Sequence, residues 1–317
     1  MITKAVITAA GRGERLYPVG DTVQKAMLPL IDKDGIFKPV IQIIAEEAFD
    51  SGIEEICIVC APGDEQRYID SFTSLKNNLL KAYKETDWAL NHAEKIEHLL
   101  RHTQFTVQEK AMGYGHAVYC AREFVGDNPF LLLLSDHLYV SHIAGKRCAA
   151  QIIELANKES CSVSAVNPTI EHQIRKYGTI TGKNYNNQAG LYQIERIVEK
   201  PSLSLAEQEL QTPGLRAGYF LCIFGMHALS PLIFDILEQY HSRAIKENST
   251  YLLTPALMDL VKKDKYLALE VSGSRYDIGK KFGLLQAQIA LSLAGQDRDR
   301  VLNTLIDLLA ESNVKRF

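Results

Sequence analysis

Two kinds of hydrophobic pattern alternate along the chain. KAVITAA at 4–10 and EEICIVCA at 54–61 are apolar runs of strand length, and between them PVIQIIAEEAFDSGI repeats its apolar positions at helical spacing. A strand, a helix and a second strand joined this closely predict a βαβ unit, and so a parallel sheet. From about 64 to 101 the pattern is helical and polar, with WALNHAEKIEHLLRH apolar near every third or fourth place, which predicts a surface helical insertion. QFTVQ then reads as a strand and HAVYCAREFV as a helix. PFLLLLSD reads as a fully buried strand, because five consecutive apolar residues need cover on both faces.

The alternation persists with a helix around 145–158 and the strand CSVSAVNP, while the Gly- and Asn-containing alternation of 177–200 predicts antiparallel hairpins. GYFLCIFGMH is a further buried strand, SPLIFDILEQYH and YLLTPALMDLVKKD are helices, and YLALEVSG is a strand leading into SRYDIGKKFG. The remainder, from about 283, is helical and amphipathic, including RVLNTLIDLLAES. The expected fold is α/β: a Rossmann-like, mixed but mostly parallel central sheet flanked by helices, with added β-hairpins and C-terminal helices. No repeat or low-complexity linker interrupts the chain. We therefore expect one large domain at 1–290, carrying the helical insertion at about 64–102, and a C-terminal helical extension at 291–317.

Composition narrows the function classes. A chain of 317 residues exceeds the usual single domain, although α/β sheets grow this large around one core. With 23% charged residues and a net charge of -3 there is no electrostatic reason to expect nucleic acid or an anionic membrane as partner, so any phosphate must be held by local groups. The start, MITKAVITAAGRGERL, has too short an apolar run for a signal peptide or a spanning helix, and the protein is expected to stay in the cytoplasm. Of the six cysteines, the close pair Cys57 and Cys60 points to opposite faces of its strand, which suits reduced core residues better than a redox or zinc pair.

The chemistry starts at Gly11-Arg12-Gly13-Glu14-Arg15, directly after the first strand. Glycines there let backbone N–H groups approach a polyphosphate, and Arg15 can donate to phosphate oxygens in a planar fork. The segment lacks the third glycine of a dinucleotide fingerprint and the Gly-Lys-Ser/Thr of a P-loop, and by itself a solvated Gly-rich turn explains it better. Its continuation brings a second cation, Lys25, before Met-Leu-Pro-Leu. Further on come Gln108 and Gly113-Tyr114-Gly115-His116-Ala117-Val118, then Leu134-Ser135-Asp136, Tyr177-Gly178, Val198-Glu199-Lys200-Pro201, Ala217-Gly218-Tyr219 and Asp277-Ile278-Gly279-Lys280-Lys281. In this order, over about 3–290, these segments resemble the sugar-nucleotide pyrophosphorylases, and most strongly the bacterial UTP–glucose-1-phosphate uridylyltransferases.

That resemblance implies the nucleotide-diphospho-sugar transferase fold, with 1–290 as the catalytic domain, and an in-line attack of a sugar 1-phosphate on the α-phosphorus of UTP. Arg15, Lys25 and Lys200 are the implied catalytic cations. Arg15 and Lys25 would hold the triphosphate and Lys200 the sugar phosphate. Ala10, Gly11, Gly13, Gln108, Gly113 and Gly115 would meet the nucleotide, and Gly178, Glu199 and Gly218 the sugar. Asp136, at the carboxyl end of the buried strand, and Asp277 are the implied ligands of Mg²⁺, which favours hard oxygen donors. Each aspartate taken alone reads better as a turn or helix cap. His116 reads as a structural histidine at a helix start, since the reaction requires no proton abstraction. Glu14 stands where the family has a threonine and Ala26 where it has a base-recognising glutamate. The alternatives are thus the same reaction with dTTP, CTP or another sugar 1-phosphate, or a non-catalytic nucleotide-sugar-binding subunit. The family's habit implies a homo-oligomer, dimer or tetramer.

Overall fold

The computed structural model describes residues 1–11, 13 and 22–314. β1 (Lys4–Thr8) is followed, after a 3-10 turn at Lys25–Met27, by a short hairpin of β2 (Pro29–Ile31) and β3 (Phe37–Pro39), then α1 (Val40–Phe49) and β4 (Glu55–Cys60). Two helices, α2 (Asp64–Tyr83) and α3 (Asp87–Arg101), precede β5 (Thr103–Val107). Next come α4 (Tyr114–Tyr119), α5 (Arg122–Val125), β6 (Phe130–Leu134), β7 (His137–Ser141), α6 (Cys148–Glu159) and β8 (Ser162–Ile170). The hairpin β9 (Gly178–Asn184) and β10 (Leu191–Glu199) leads through α7 (Leu203–Glu209) to the long β11 (Tyr219–Leu229). α8 (Leu232–Glu247), α9 (Leu253–Lys263), β12 (Tyr266–Glu270), β13 (Gly273–Asp277), α10 (Gly283–Leu293) and α11 (Arg298–Val314) complete the chain.

Nine strands form one sheet in the order β5-β4-β1-β6-β11-β8-β12-β10-β9. Pairing is parallel from β5 through β6 and again between β8 and β12, and antiparallel wherever β11 or β10 takes part. Following the ladders, seven of the nine strands run in one direction, so the sheet is mixed but mostly parallel.

Alternation along each central strand feeds two cores. Ala5 and Ile7, Ile56 and Ile58, and Leu131 and Leu133 pack into the core on one face, while Val6, Cys57 and Val59, and Phe130 and Leu132 pack into the core on the other. Each of these side chains is removed from water at 0% exposure, worth about 1.5–3 kcal/mol for a leucine or isoleucine. Cys57 and Cys60 lie in opposite cores, and burial pushes their thiols up to about 11 and about 12, so both stay protonated.

The structure differs from the sequence reading in two places that matter. HAVYCAREFV forms not one helix but α4 and α5, separated at Cys120 and Ala121. SRYDIGKKFG carries a strand of its own, β13, which pairs antiparallel with β7 in a separate two-stranded sheet. Both partners are short, and they come from remote segments, so neither shows a period that marks it as half of a ladder.

Candidate active site

The carboxyl ends of β1 and β4 and the residue after β6 open onto a cavity of about 250 Å³ lined by Ala10, Gly11, Lys25, Ala61, Arg67 and Ser135. This is where parallel α/β sheets place their ligands, because strand-end loops there diverge. The sheet ladder continues into the loops: Ala9 N–H donates to Val59 O at 2.7 Å and Ser135 N–H to Thr8 O at 3.2 Å. A larger cavity of about 580 Å³ lies between α1 and α3 around Trp88 and His98, remote from these loops. Volume alone would choose it; the chemistry chooses the smaller one.

Lys25 Nζ donates to Asp136 Oδ2 at 2.6 Å, with only 12% and 13% of the two side chains exposed. The lysine is held there because the next residue, Ala26, is buried in the core and anchors the 3-10 turn. His137 Nδ1 donates to Asp136 Oδ1 at 2.7 Å. Burial opposes ionisation of Asp136, yet the hydrogen bond from His137 and the Lys25 ammonium hold its carboxyl well below the usual carboxylate range. The group is therefore a carboxylate under all working conditions.

Asp277 reaches the same place through the β7–β13 ladder, where it sits directly opposite His137. Ile278 N–H donates to Asp136 O at 3.0 Å, which ties the two segments together beyond the strand ends. Asp136, His137 and Asp277 each offer a ligand atom, all within 4.8 Å of one another. Two carboxylates from separate segments fit a divalent cation that prefers oxygen. Gly279 N–H donates to Asp277 Oδ1 at 2.9 Å, and Lys280 Nζ lies 3.4 Å from Asp277 Oδ2. Lys280 also donates to the Tyr177 hydroxyl at 2.8 Å. Burial raises the Tyr177 phenol, but Lys280 and Arg275 outweigh it and draw its pKa below the ordinary tyrosine value.

Tyr177 connects this centre to the EKP segment, since its carbonyl accepts from Lys200 N–H at 3.1 Å. Glu199, the last residue of β10, lies opposite Gly178 and accepts from Thr254 Oγ1 at 2.7 Å. A Cβ on Gly178 would meet Ile223 Cδ1 at 2.9 Å and Glu199 Oε2 at 3.3 Å, so the glycine keeps this wall open. Lys200 adopts φ 45°, and its Nζ lies 3.5 Å from Glu199 Oε1 with 61% of the side chain exposed. It stands at the rim and is not drawn onto Asp136. Gly218 is placed elsewhere. The β11–β9 register sets Gly178 opposite residue 223, whereas Gly218 precedes β11, next to Glu171, whose N–H donates to Gly218 O at 2.9 Å. The structure brings Gly178, Glu199 and Lys200 together and leaves Gly218 five residues away along the strand direction.

On the nucleotide side, Ala10 and Gly11 line the cavity, and Gly13 has φ 69°, with the stem of Lys25 3.6 Å from where a Cβ on it would stand. Arg15 and Glu14 lie outside the described residues. Gln108 Nε2 donates to Gly113 O at 3.1 Å. Gly113 has φ 100°, and a Cβ there would stand 2.4 Å from Tyr251 O, so no other residue fits. Gly115 N–H donates to that same carbonyl at 3.1 Å. His137 and Tyr251 were not singled out from the sequence, and Lys280 entered only within the segment 277–281, without a role of its own. Only the adjacency of His137 to Asp136 and of Lys280 to Asp277 could have drawn notice, and Tyr251 gives no local signal.

The family described as nucleotidyl transferase matches residues 4–292. The chain is 32% identical to a UTP–glucose-1-phosphate uridylyltransferase of Bacillus subtilis, over 97% of this chain and 96% of that protein. It is 34% identical to a UTP–glucose-1-phosphate uridylyltransferase of Streptococcus pneumoniae, over 99% and 98% of the two. Among solved structures, a UDP-glucose pyrophosphorylase from Acinetobacter baumannii superposes with a TM-score of 0.77 at 26% identity, covering 98% of this chain and 100% of that one. A UDP-glucose pyrophosphorylase complexed with UDP-glucose superposes at 0.71 and 28% identity, covering 92% and 98%. The chain belongs to the nucleotidyl transferase family, in the branch of the bacterial UTP–glucose-1-phosphate uridylyltransferases.

Proposed function

We propose that this site joins UTP to glucose 1-phosphate, forming UDP-glucose and pyrophosphate with Mg²⁺ as the resident cation. The observation that carries the reading is the convergence of Lys25, Asp136 and Asp277 at the carboxyl edge of the sheet. A phosphate oxygen of the sugar attacks the α-phosphorus, the bond from that phosphorus to the bridging oxygen breaks, and pyrophosphate leaves with the electron pair. No group on the enzyme becomes covalently attached.

Two polyanions must be brought together, so the chain's work is orientation and neutralisation. Lys25 lines the same cavity as Gly11, where the triphosphate would run, and Arg15 is the second cation that the resemblance implies for it. Asp136 and Asp277 hold Mg²⁺, which when bound supplies charge neutralisation and a common template for both phosphates. Lys200 at the rim takes the sugar phosphate, Glu199 accepts sugar hydroxyls and Gly178 leaves room for the ring. The catalytic unit is 1–290, with 64–102 as a helical insertion and 291–317 as an extension. Apolar side chains exposed at Leu285, Leu302, Ile306 and Leu308 support a homo-oligomer, dimer or tetramer, assembled through this region. The enzyme acts in the cytoplasm; among the described residues no helix is long and apolar enough to cross a membrane.

The test incubates purified protein and Mg²⁺ with panels of nucleoside triphosphates and sugar 1-phosphates and follows pyrophosphate release. Fastest release is expected with UTP and glucose 1-phosphate. Release with no pair overturns the enzyme reading, and faster release with dTTP or CTP overturns the choice of base.

A further inference from the structure

Gln108 directly follows β5, and its N–H donates to Cys60 O at 2.8 Å, which sets the residue beside Ala61 at the cavity wall. Its Nε2 is 3.1 Å from Gly113 O and 3.0 Å from His116 Nδ1. A carbonyl oxygen can only accept, so the amide nitrogen, not the amide oxygen, must face Gly113. The second amide hydrogen then points at His116 Nδ1, which must offer a lone pair. Lys110 O also lies 3.0 Å from Nδ1 and accepts Met112 N–H at 2.8 Å; a carbonyl can accept twice, so it is the Gln108 amide hydrogen, which would clash with a proton on Nδ1, that assigns the tautomer. The proton falls to Nε2, which faces Cys120 Sγ at 3.6 Å. Burial lowers the pKa of His116 and outweighs the Lys110 carbonyl, which raises it, so the ring favours its neutral form. The ring is held flat against His241, with centroids 5.2 Å apart and planes within 1°.

We infer that His116 is a positioning residue for base selection: it locks the Gln108 amide with both hydrogens turned inward, so that only Oε1 is left to meet the pyrimidine. This rests on the reading of the site as one for a pyrimidine nucleotide. Gln108 Oε1 has no hydrogen-bond partner among the described residues. Uracil and thymine present a donor, N3–H, at their central edge position, and an outward acceptor matches it. Cytosine presents a lone pair at the same position and is repelled. Ala26, which lines the cavity, has no polar side-chain group to make this choice. UTP and dTTP are not separated by this device; CTP is rejected by it.

The experiment measures Kd for UTP and for CTP calorimetrically, and kcat and KM for each with glucose 1-phosphate and Mg²⁺, in the wild type, His116→Phe and His116→Asn, with circular dichroism to verify folding. In His116→Phe the ring stays but the lone pair goes, the amide can turn, and the preference for UTP over CTP is expected to fall by about tenfold or more, in Kd and KM rather than in kcat. His116→Asn, whose Oδ1 can stand in for Nδ1, is expected to keep it. A folded His116→Phe with wild-type preference, or two folded variants that lose it alike, overturns the inference. If His116→Phe does not fold, a long-range ¹H–¹⁵N spectrum of the wild type decides: a proton on His116 Nε2 is expected, and a proton on Nδ1 overturns it. A wild type that binds neither nucleotide and releases no pyrophosphate marks instead the failure of the proposed function.

Discussion

Lys25 Nζ and Asp136 Oδ2 stand 2.6 Å apart although 111 positions separate them in the chain. One is the proposed cation for the triphosphate and the other a proposed metal ligand, and the two opposite charges stand preorganised against each other. Asp136 keeps a second donor in His137, which means that removing the lysine leaves the carboxylate partnered.

Lys25→Ala is therefore expected to fold, with an unchanged far-ultraviolet circular dichroism spectrum, while its turnover falls on the order of 10²–10³-fold through lost transition-state neutralisation. Pyrophosphate release under saturating substrates measures this. Turnover equal to the wild type would remove Lys25 from the mechanism.

Asp136→Asn and Asp277→Asn preserve shape and remove one charge each. Both are expected to weaken Mn²⁺ binding, read by electron paramagnetic resonance as free Mn²⁺, by about tenfold or more, because a hard cation loses an anionic oxygen. Unaltered affinity in either variant would show that its carboxylate is not a ligand.

Gly283, at the start of α10, has its Cα so close to Asp277 that an added Cβ would stand 2.0 Å from Asp277 O. Gly283→Ala must push either the helix or the end of β13 away. Urea unfolding is expected to show a loss of about 1–3 kcal/mol, accompanied by weaker Mn²⁺ binding as Asp277 shifts. A variant as stable as the wild type would contradict the close approach.

Lys38 is 1% exposed and lies 2.8, 2.6 and 2.7 Å from Asp32, Asp34 and Glu46. Burial works against charge on both Lys38 and Asp32, yet their attraction raises the pKa of the lysine and lowers that of the aspartate. Lys38→Met leaves the buried Asp32 without its lysine, and Asp34 and Glu46 with the more distant Lys95 ammonium at 3.9 and 3.8 Å, and is expected to lose about 3–5 kcal/mol in chemical denaturation. A loss below about 1 kcal/mol would mean that the carboxylates find water instead.

His227 is fully buried on β11 with Nδ1 2.6 Å from Ser164 Oγ, and burial lowers its pKa from 6.5 to about 4. The unfolded chain thus takes up a proton at a higher pH than the native one. Its contribution is intact above pH 6.5 and is lost as pH falls towards 4, by up to about 3 kcal/mol. Equilibrium denaturation across this window should show a steeper decline in the wild type than in His227→Asn, and equal slopes would refute the assignment.

Local period was enough to determine the strands that build the sheet. KAVITA, EICIVC and FLLLL each alternate between two apolar cores, and a run buried on both sides admits little other than a central parallel strand. The order of charged and glycine residues likewise carried the resemblance that assigns Lys25, Asp136 and Asp277 to one proposed chemistry. Their meeting was a matter for tertiary structure. Asp277 arrives only because β13 pairs with β7 in the register that sets it against His137, and two five-residue strands from remote parts of the chain carry no sequence period that reveals a partner. The same holds for Gly113, whose need for a missing side chain comes from a carbonyl at Tyr251, and for Gly218, which the register of β11 carries away from Gly178. Side-chain alternation is a property of a few neighbouring residues, whereas register and close approach are settled between segments far apart, when the whole sheet and its loops pack at once.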